Sequence, residues 1–364
     1  MHKTSAWPLA QVYFCLIVYA SLYPFAHWRA QGVAPWLFLT APLPRYWTGF
    51  DVVANVLGYM PLGFFLALSA LRTDRGRFAF YAAALTAAGL SFAMECLQVF
   101  LPDRVPSNLD LLLNAAGGML GAVVAWSLER LGFLQRWGRF RANWFIEESR
   151  GALTLLALWP MALLFPTAVP FGLGQVMLRL ELALAELLSD TPFLEWLPLR
   201  EVELQPVTSG TAWLCGVLGL VIPGLLGFCI IAQVSKRAWF LVWLALLGIG
   251  ASGLSAALSF GPEHAWIWLT APVQAALWTA LLGLMALLWV PPRASAALAV
   301  LALGADLSLL NQMSINPYFE QTLFMWEQGR FIRFHGLAQW LGWLWPFAAL
   351  VYLLSLVWSR PPKT

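Results

Sequence analysis

The sequence predicts an all-α, polytopic bundle of about ten membrane-spanning helices with both termini in the cytoplasm. Three observations carry that prediction. The chain is 60% hydrophobic and only 11% charged over 364 residues, whereas a soluble domain carries roughly 25% charged residues. Apolar stretches recur at a length of about 20 residues, enough at about 1.5 Å per residue to cross a hydrocarbon layer about 30 Å thick. The basic residues are also distributed unevenly between successive connections, which is the signal that orients a membrane protein.

Taken in order, the apolar runs between charged or Pro-rich breaks place spans at residues 6–26, 51–71, 78–100, 109–128 and 152–171. Five more follow at residues 211–234, 238–259, 266–290, 294–312 and 336–358. The first run, after Met1-His2-Lys3, has the outline of a signal peptide, but no soluble domain follows it, and it is read as a retained span. With both ends inside, two thirds of the 21 Lys and Arg residues fall on the cytoplasmic side, the side that basic residues favour. The composition divides the chain into a four-span unit (1–135), a basic cytoplasmic linker (136–150) and a six-span membrane region of unassigned type (151–364).

Four connections are rich enough to contact the membrane surface. Residues 27–49 carry Trp and Pro, and residues 314–335 mix Tyr318, Phe319, Trp326 and Phe334 with charges, both interfacial patterns. Between residues 175 and 190, Arg179, Glu181 and Glu186 interrupt Leu at helical spacing, as in an amphipathic helix lying flat. Residues 129–150 set Arg136, Arg139 and Arg141 beside Trp137 and Trp144, which suits an anionic lipid surface.

The composition also excludes several classes. The net charge of +3 is small and its basic residues are scattered, so nucleic acid is not an expected partner. Cys15, Cys96, Cys215 and Cys229 lie in apolar runs without C-x-x-C spacing or a nearby His, so neither a metal site nor a cofactor is expected. There is no phosphate-cradling loop and no nucleophile triad, which leaves enzymatic activity undecided.

Polar groups inside a bilayer are costly, with an Asp, Lys or Arg at a helix centre penalised by roughly 2.5–3.5 kcal/mol. Span two opens with Asp51-Val-Val-Ala-Asn55 and span four with Asp110-Leu-Leu-Leu-Asn114, two D-x-x-x-N pairs entering from the same, non-cytoplasmic side. A four-residue separation puts each pair on one helix face. Glu95 and Gln98 share a face near the exit of span three, and Arg104 follows in the turn. Folding spans two to four back and forth brings all of these to one level. Glu95 and Arg104 are the candidates for chemistry, and Asp51, Asn55, Gln98, Asp110 and Asn114 for substrate binding.

Plainer roles exist for most of them. Asp51 and Asp110 lie in first helical turns, where a carboxylate complements the helix dipole, and Ser107 to Asp110 reads as a capping box. Asn55 and Asn114 fit interhelical hydrogen bonding, and Gly117-x-x-x-Gly121 fits close helix packing. Glu95 is too deep to cap its own helix, so it must be neutral, paired or facing water. Asp306, midway along span nine, is a secondary candidate on the same grounds.

The set Asp51-x-x-x-Asn55 with Pro61 and Gly63, Glu95-x-x-Gln98, Arg104, and Asp110-x-x-x-Asn114-x-x-Gly117 with Gly121 resembles the VanZ-like family over about residues 10–130. The resemblance implies a bacterial envelope protein, expected in the inner, cytoplasmic membrane, with a polar site at these positions and a candidate link to teicoplanin-type glycopeptide resistance. It implies no established reaction. The partner expected on this reading is a membrane lipid or a lipid-linked envelope precursor, bound by its head group; protein partners are undefined. A proton- or substrate-coupled transporter or flippase using Glu95 and Asp306, and a non-enzymatic membrane scaffold, are the alternatives.

Overall fold

A computed structural model describes residues 6–22, 25, 27–44, 46–72, 79–102, 104–147, 149–189, 191–196, 208–313 and 332–358. The described residues form twelve α-helices: α1 (Ala6–Leu22), α2 (Gly49–Leu71), α3 (Ala79–Gln98), α4 (Asn108–Arg130), α5 (Phe133–Trp144), α6 (Arg150–Ala162), α7 (Met177–Leu188), α8 (Ser209–Ile230), α9 (Val234–Phe260), α10 (Ala271–Ala286), α11 (Pro292–Gln312) and α12 (Ile332–Trp358). Seven of them, α2, α3, α4, α8, α9, α11 and α12, are long and apolar enough to cross a membrane. The chain divides into two compact units, Met1–Phe140 and Arg141–Thr364.

In the first unit α2 and α4 run side by side in the same direction, with α3 returning between them and α1 against α2 and α3. Lipid tails are as apolar as the helices, so close van der Waals packing, not water exclusion, has to hold such a bundle. Glycine makes that approach possible. A Cβ on Gly117 would meet the Val56 carbonyl, one on Gly121 the Met60 carbonyl, and one on Gly63 the Gly118 carbonyl. The two backbones therefore touch across a seam with no side chain between them. Around the seam lie Tyr59, Leu62, Leu90 and Met94 towards one end, and Ala67, Ala79, Ala83, Ala122 and Ala125 towards the other.

Both parallel helices start on capped ends. The Thr48 side chain accepts from the Asp51 amide while Asp51 Oδ2 accepts from the Thr48 amide at 2.9 Å, a reciprocal capping box that satisfies two otherwise orphaned donors. Ser107 caps α4 through the Asp110 amide at 3.3 Å. The connection after α4 is helical over α5, whose Phe133, Trp137 and Phe140 are exposed and whose Arg136, Arg139 and Arg141 share the helix.

In the second unit α8 is the axis. Its apolar window is 72% buried, against 28–39% for the other six long helices, because α6, α9, α10 and α11 all pack on it. Gly219, Gly224 and Gly227 face Phe171, Leu284 and Phe240 at distances that leave no room for a Cβ.

All ten sequence-predicted spans coincide with helices, but three are short. α1 and α10 have 17 and 16 residues. The fifth, expected over residues 152–171, is corrected most: α6 ends at Ala162, and residues 163–176 continue as irregular, largely buried backbone. Proline explains it. Pro166 and Pro170 have no amide to donate and disfavour helix in the residue before them. Irregular backbone at such depth persists only where protein satisfies its polar groups, and Asn311 of α11 does this here. Its Oδ1 accepts from the Val176 and Met177 amides at 3.1 and 3.0 Å, and its Nδ2 donates to the Gly174 carbonyl at 3.0 Å. The amphipathic segment expected over residues 175–190 is α7, no residue of which is buried. Residues 314–331 of the third expected interfacial segment lie outside the described residues.

Candidate functional site

The polar residues of the first unit meet at one end of α2, α3 and α4. Asp110 lies in the first turn of α4, and Asn55 of α2 donates to its Oδ1 at 2.9 Å. One turn further along α4, the buried Asn114 donates through Nδ2 to Ser91 Oγ of α3 at 2.9 Å. Gln98, the last residue of α3, donates to the Ser21 carbonyl of α1 at 3.1 Å. Four helices thus contribute to one polar layer, which reaches about 10 Å inward from the end of α3 if Ser91 is counted back from Gln98 at about 1.5 Å per residue.

Glu95 occupies the middle of this layer at 4% exposure. Its Oε2 accepts from the backbone amide of Ser107 at 2.8 Å. Ser107 is the cap of α4, so a carboxylate from α3 sits against the positive end of the α4 dipole. The acid that is too deep to cap its own helix caps a neighbour. Arg104 lies half-buried in the short connection between the same two helices, with its amide donating to the Leu101 carbonyl at 3.0 Å.

Tyr59 of α2 joins the layer, a residue that the sequence reading did not single out. It is 6% exposed, Ser91 and Ser21 lie within hydrogen-bonding reach of its hydroxyl, and Glu95 and Asp110 are its acidic neighbours. The signal was present in the spacing. Tyr59 follows Asn55 by one helical turn and Ser91 precedes Glu95 by one, so each lies on the face already marked as polar.

Asp51 lies in the first turn of α2. It is exposed, and its carboxylate bonds the amide and hydroxyl of Thr48 at 2.9 and 2.8 Å. Gly117 and Gly121 face α2 in the seam beneath the layer. Asp306 belongs to the second unit, in α11.

The layer has unspent capacity. Asn114 Oδ1 is buried, and no described residue donates to it. A buried acceptor left unpaired costs about 1–3 kcal/mol, so a hydroxyl or ammonium group that donated there would recover that energy. The arrangement brings carboxylate, amide and hydroxyl groups together in one layer, which can both donate and accept hydrogen bonds. No group of three or more His, Cys, Asp or Glu positioned to hold a metal ion occurs among the described residues.

Residues 5–130 match the VanZ/LLP1 family. That stretch contains every residue of the polar layer and ends at the last residue of α4. No curated protein and no solved structure matches the chain. The chain is thus a multi-pass helical membrane protein whose N-terminal region is VanZ-like.

Proposed function

We propose that the VanZ-like unit binds the polar head group of a membrane lipid or lipid-linked envelope precursor at the α2–α4 end. Glu95 carries this reading: a 4%-exposed carboxyl held in a layer of amides and hydroxyls from four helices, beside the acceptor of Asn114 that no described residue fills. A polar layer at one end of long apolar helices suits a ligand with one wet end and one apolar end. Arg104 supplies the cation that holds an anionic group, since guanidinium matches phosphate and carboxylate oxygens in pairs. Asn55, Asp110, Gln98 and Asn114 orient the rest, and Asp51 holds the entry of α2 through its capping box. The Lys and Arg distribution favours this end lying outside the cytoplasm, the side on which envelope precursors of a bacterial inner membrane would meet it. Glycopeptide resistance follows as a phenotype if the bound precursor is a glycopeptide target.

The test is complementation of a deletion strain, with envelope lipid composition and teicoplanin sensitivity as readouts. Glu95→Gln and Arg104→Ala, expressed at wild-type level, are expected to lose rescue. Full rescue by both would refute the proposal.

A further inference from the structure

The second unit contains a buried acid that the head-group reading does not use. Asp306 lies in α11, six residues before Gln312, and is 2% exposed. At about 1.5 Å per residue it is about 9 Å inside the end of its helix. The Cys215 thiol of α8 is its side-chain hydrogen-bond partner, and its Oδ1 is buried with no donor among the described residues. A thiol is a weak donor, so it compensates little of the cost of an ionised carboxylate at that depth.

The irregular segment after α6 runs beside this acid. A Cβ added to Gly219, one turn along α8 from Cys215, would stand 2.5 Å from the Phe171 carbonyl, and one on Gly216 would stand 3.8 Å from that of Pro170. Phe171 adopts φ 65 and Gly174 φ 92, both left-handed, so the segment holds a conformation that a helix cannot. Leu307 and Leu310, one and four residues beyond Asp306 along α11, lie against Gly174 and Gly172. An interrupted helix beside a buried membrane carboxyl is an arrangement that membrane proteins use to handle protons.

We propose that Asp306 is an exchangeable proton-binding site, and that residues 163–176 form the element whose packing follows that proton. The proton is favoured over a metal cation because one carboxyl and one thiol supply too few ligands. The groups facing Asp306 are limited. α8 presents Cys215, the sequence of residues 163–176 contains no titratable side chain, and Tyr352 is the one titratable side chain described on α12. Arg179 follows the break within α7. The proposal concerns the second unit alone and stands or falls independently of head-group binding.

The test is infrared difference spectroscopy of the full chain in lipid vesicles during a pH titration, comparing wild type with Asp306→Asn. Wild type is expected to show a carboxylic-acid C=O band that converts to carboxylate on alkalinisation and is missing from the variant. Hydrogen exchange of residues 163–176, corrected for intrinsic rates, is expected to change over the same pH range in wild type and to stay at its acid value in Asp306→Asn. Where Asp306→Asn does not fold, Asp306→Glu serves, because the longer acid shifts the band. The same band and the same exchange profile in wild type and variants would overturn the proposal. So would loss of the band on adding sodium ions at constant pH, which would mark a cation site.

Discussion

Asn55 of α2 donates a hydrogen bond from its side-chain amide to the Asp110 carboxylate of α4 at 2.9 Å, joining two helices whose backbones touch deeper in the unit. Polar links between membrane helices have measured couplings averaging about 0.6 kcal/mol, with a maximum near 1.7. A double-mutant cycle of Asn55→Ala and Asp110→Ala, read by reversible unfolding in mixed micelles, is expected to return a coupling in that range. A coupling of zero would mean that the pair meets without holding the helices.

The seam itself tolerates far less. A Cβ on Gly121 meets the Met60 carbonyl and the Phe64 amide, backbone atoms that cannot rotate away. Gly121→Val is therefore expected to prevent α2 and α4 from pairing, with loss of monodisperse protein on size exclusion. Gly58, also in α2, has nothing within 4 Å of its Cβ position. Gly58→Ala should be neutral or slightly stabilising, since alanine is favoured over glycine in a helix by up to about 1 kcal/mol.

Tyr59 separates the site from the scaffold. Removing its hydroxyl leaves the ring packed with Ile17, Leu62 and Leu90 but strips a polar contact from the layer. We expect Tyr59→Phe to cost about 1 kcal/mol of stability and to weaken rescue of a deletion strain, with wild-type expression. Unchanged rescue would remove the hydroxyl from the proposed head-group site.

Arg237 carries the largest expected effect in the second unit. It is 3% exposed, and its guanidinium donates to four carbonyls: Ile231 at 2.7 Å, Phe228 at 2.8 Å, Leu288 at 2.7 Å and Val290 at 2.6 Å. The first two lie at the end of α8 and the others just past α10, where unpaired carbonyls concentrate negative potential. Lysine, with one compact ammonium, cannot reach all four. Arg237→Lys is expected to lower the thermal midpoint of the purified protein, and Arg237→Ala to lower it further. Equal midpoints for the three would show that water replaces the side chain at no cost.

The fold was legible where apolar length decided it. Nine of the ten apolar runs are helical over most of their length, which satisfies the backbone within the segment, and the fifth is helical only to Ala162. The break after Ala162 was not read, although Pro166 and Pro170 announced it, because an apolar run of proper length looks the same whether it stays helical or not. In the site, the face shared by Glu95 and Gln98 could be read from spacing. What spacing could not supply was which group each polar atom would meet: the two Asp–Asn pairs look alike in sequence, yet Asp51 turns back to Thr48 while Asp110 turns to Asn55. Arg237 lies between two apolar runs in the sequence, and nothing local shows that the ends of two other helices converge on it.

That convergence limits how the second unit can deform. Three helices share one planar group at this rim, whereas Asp306 and the irregular segment lie beside Cys215, about 20 Å away along α8 at about 1.5 Å per residue. The guanidinium therefore pins the ends of α8, α9 and α10 at this rim, like a rivet through three blades, and leaves the packing around Asp306 to other contacts.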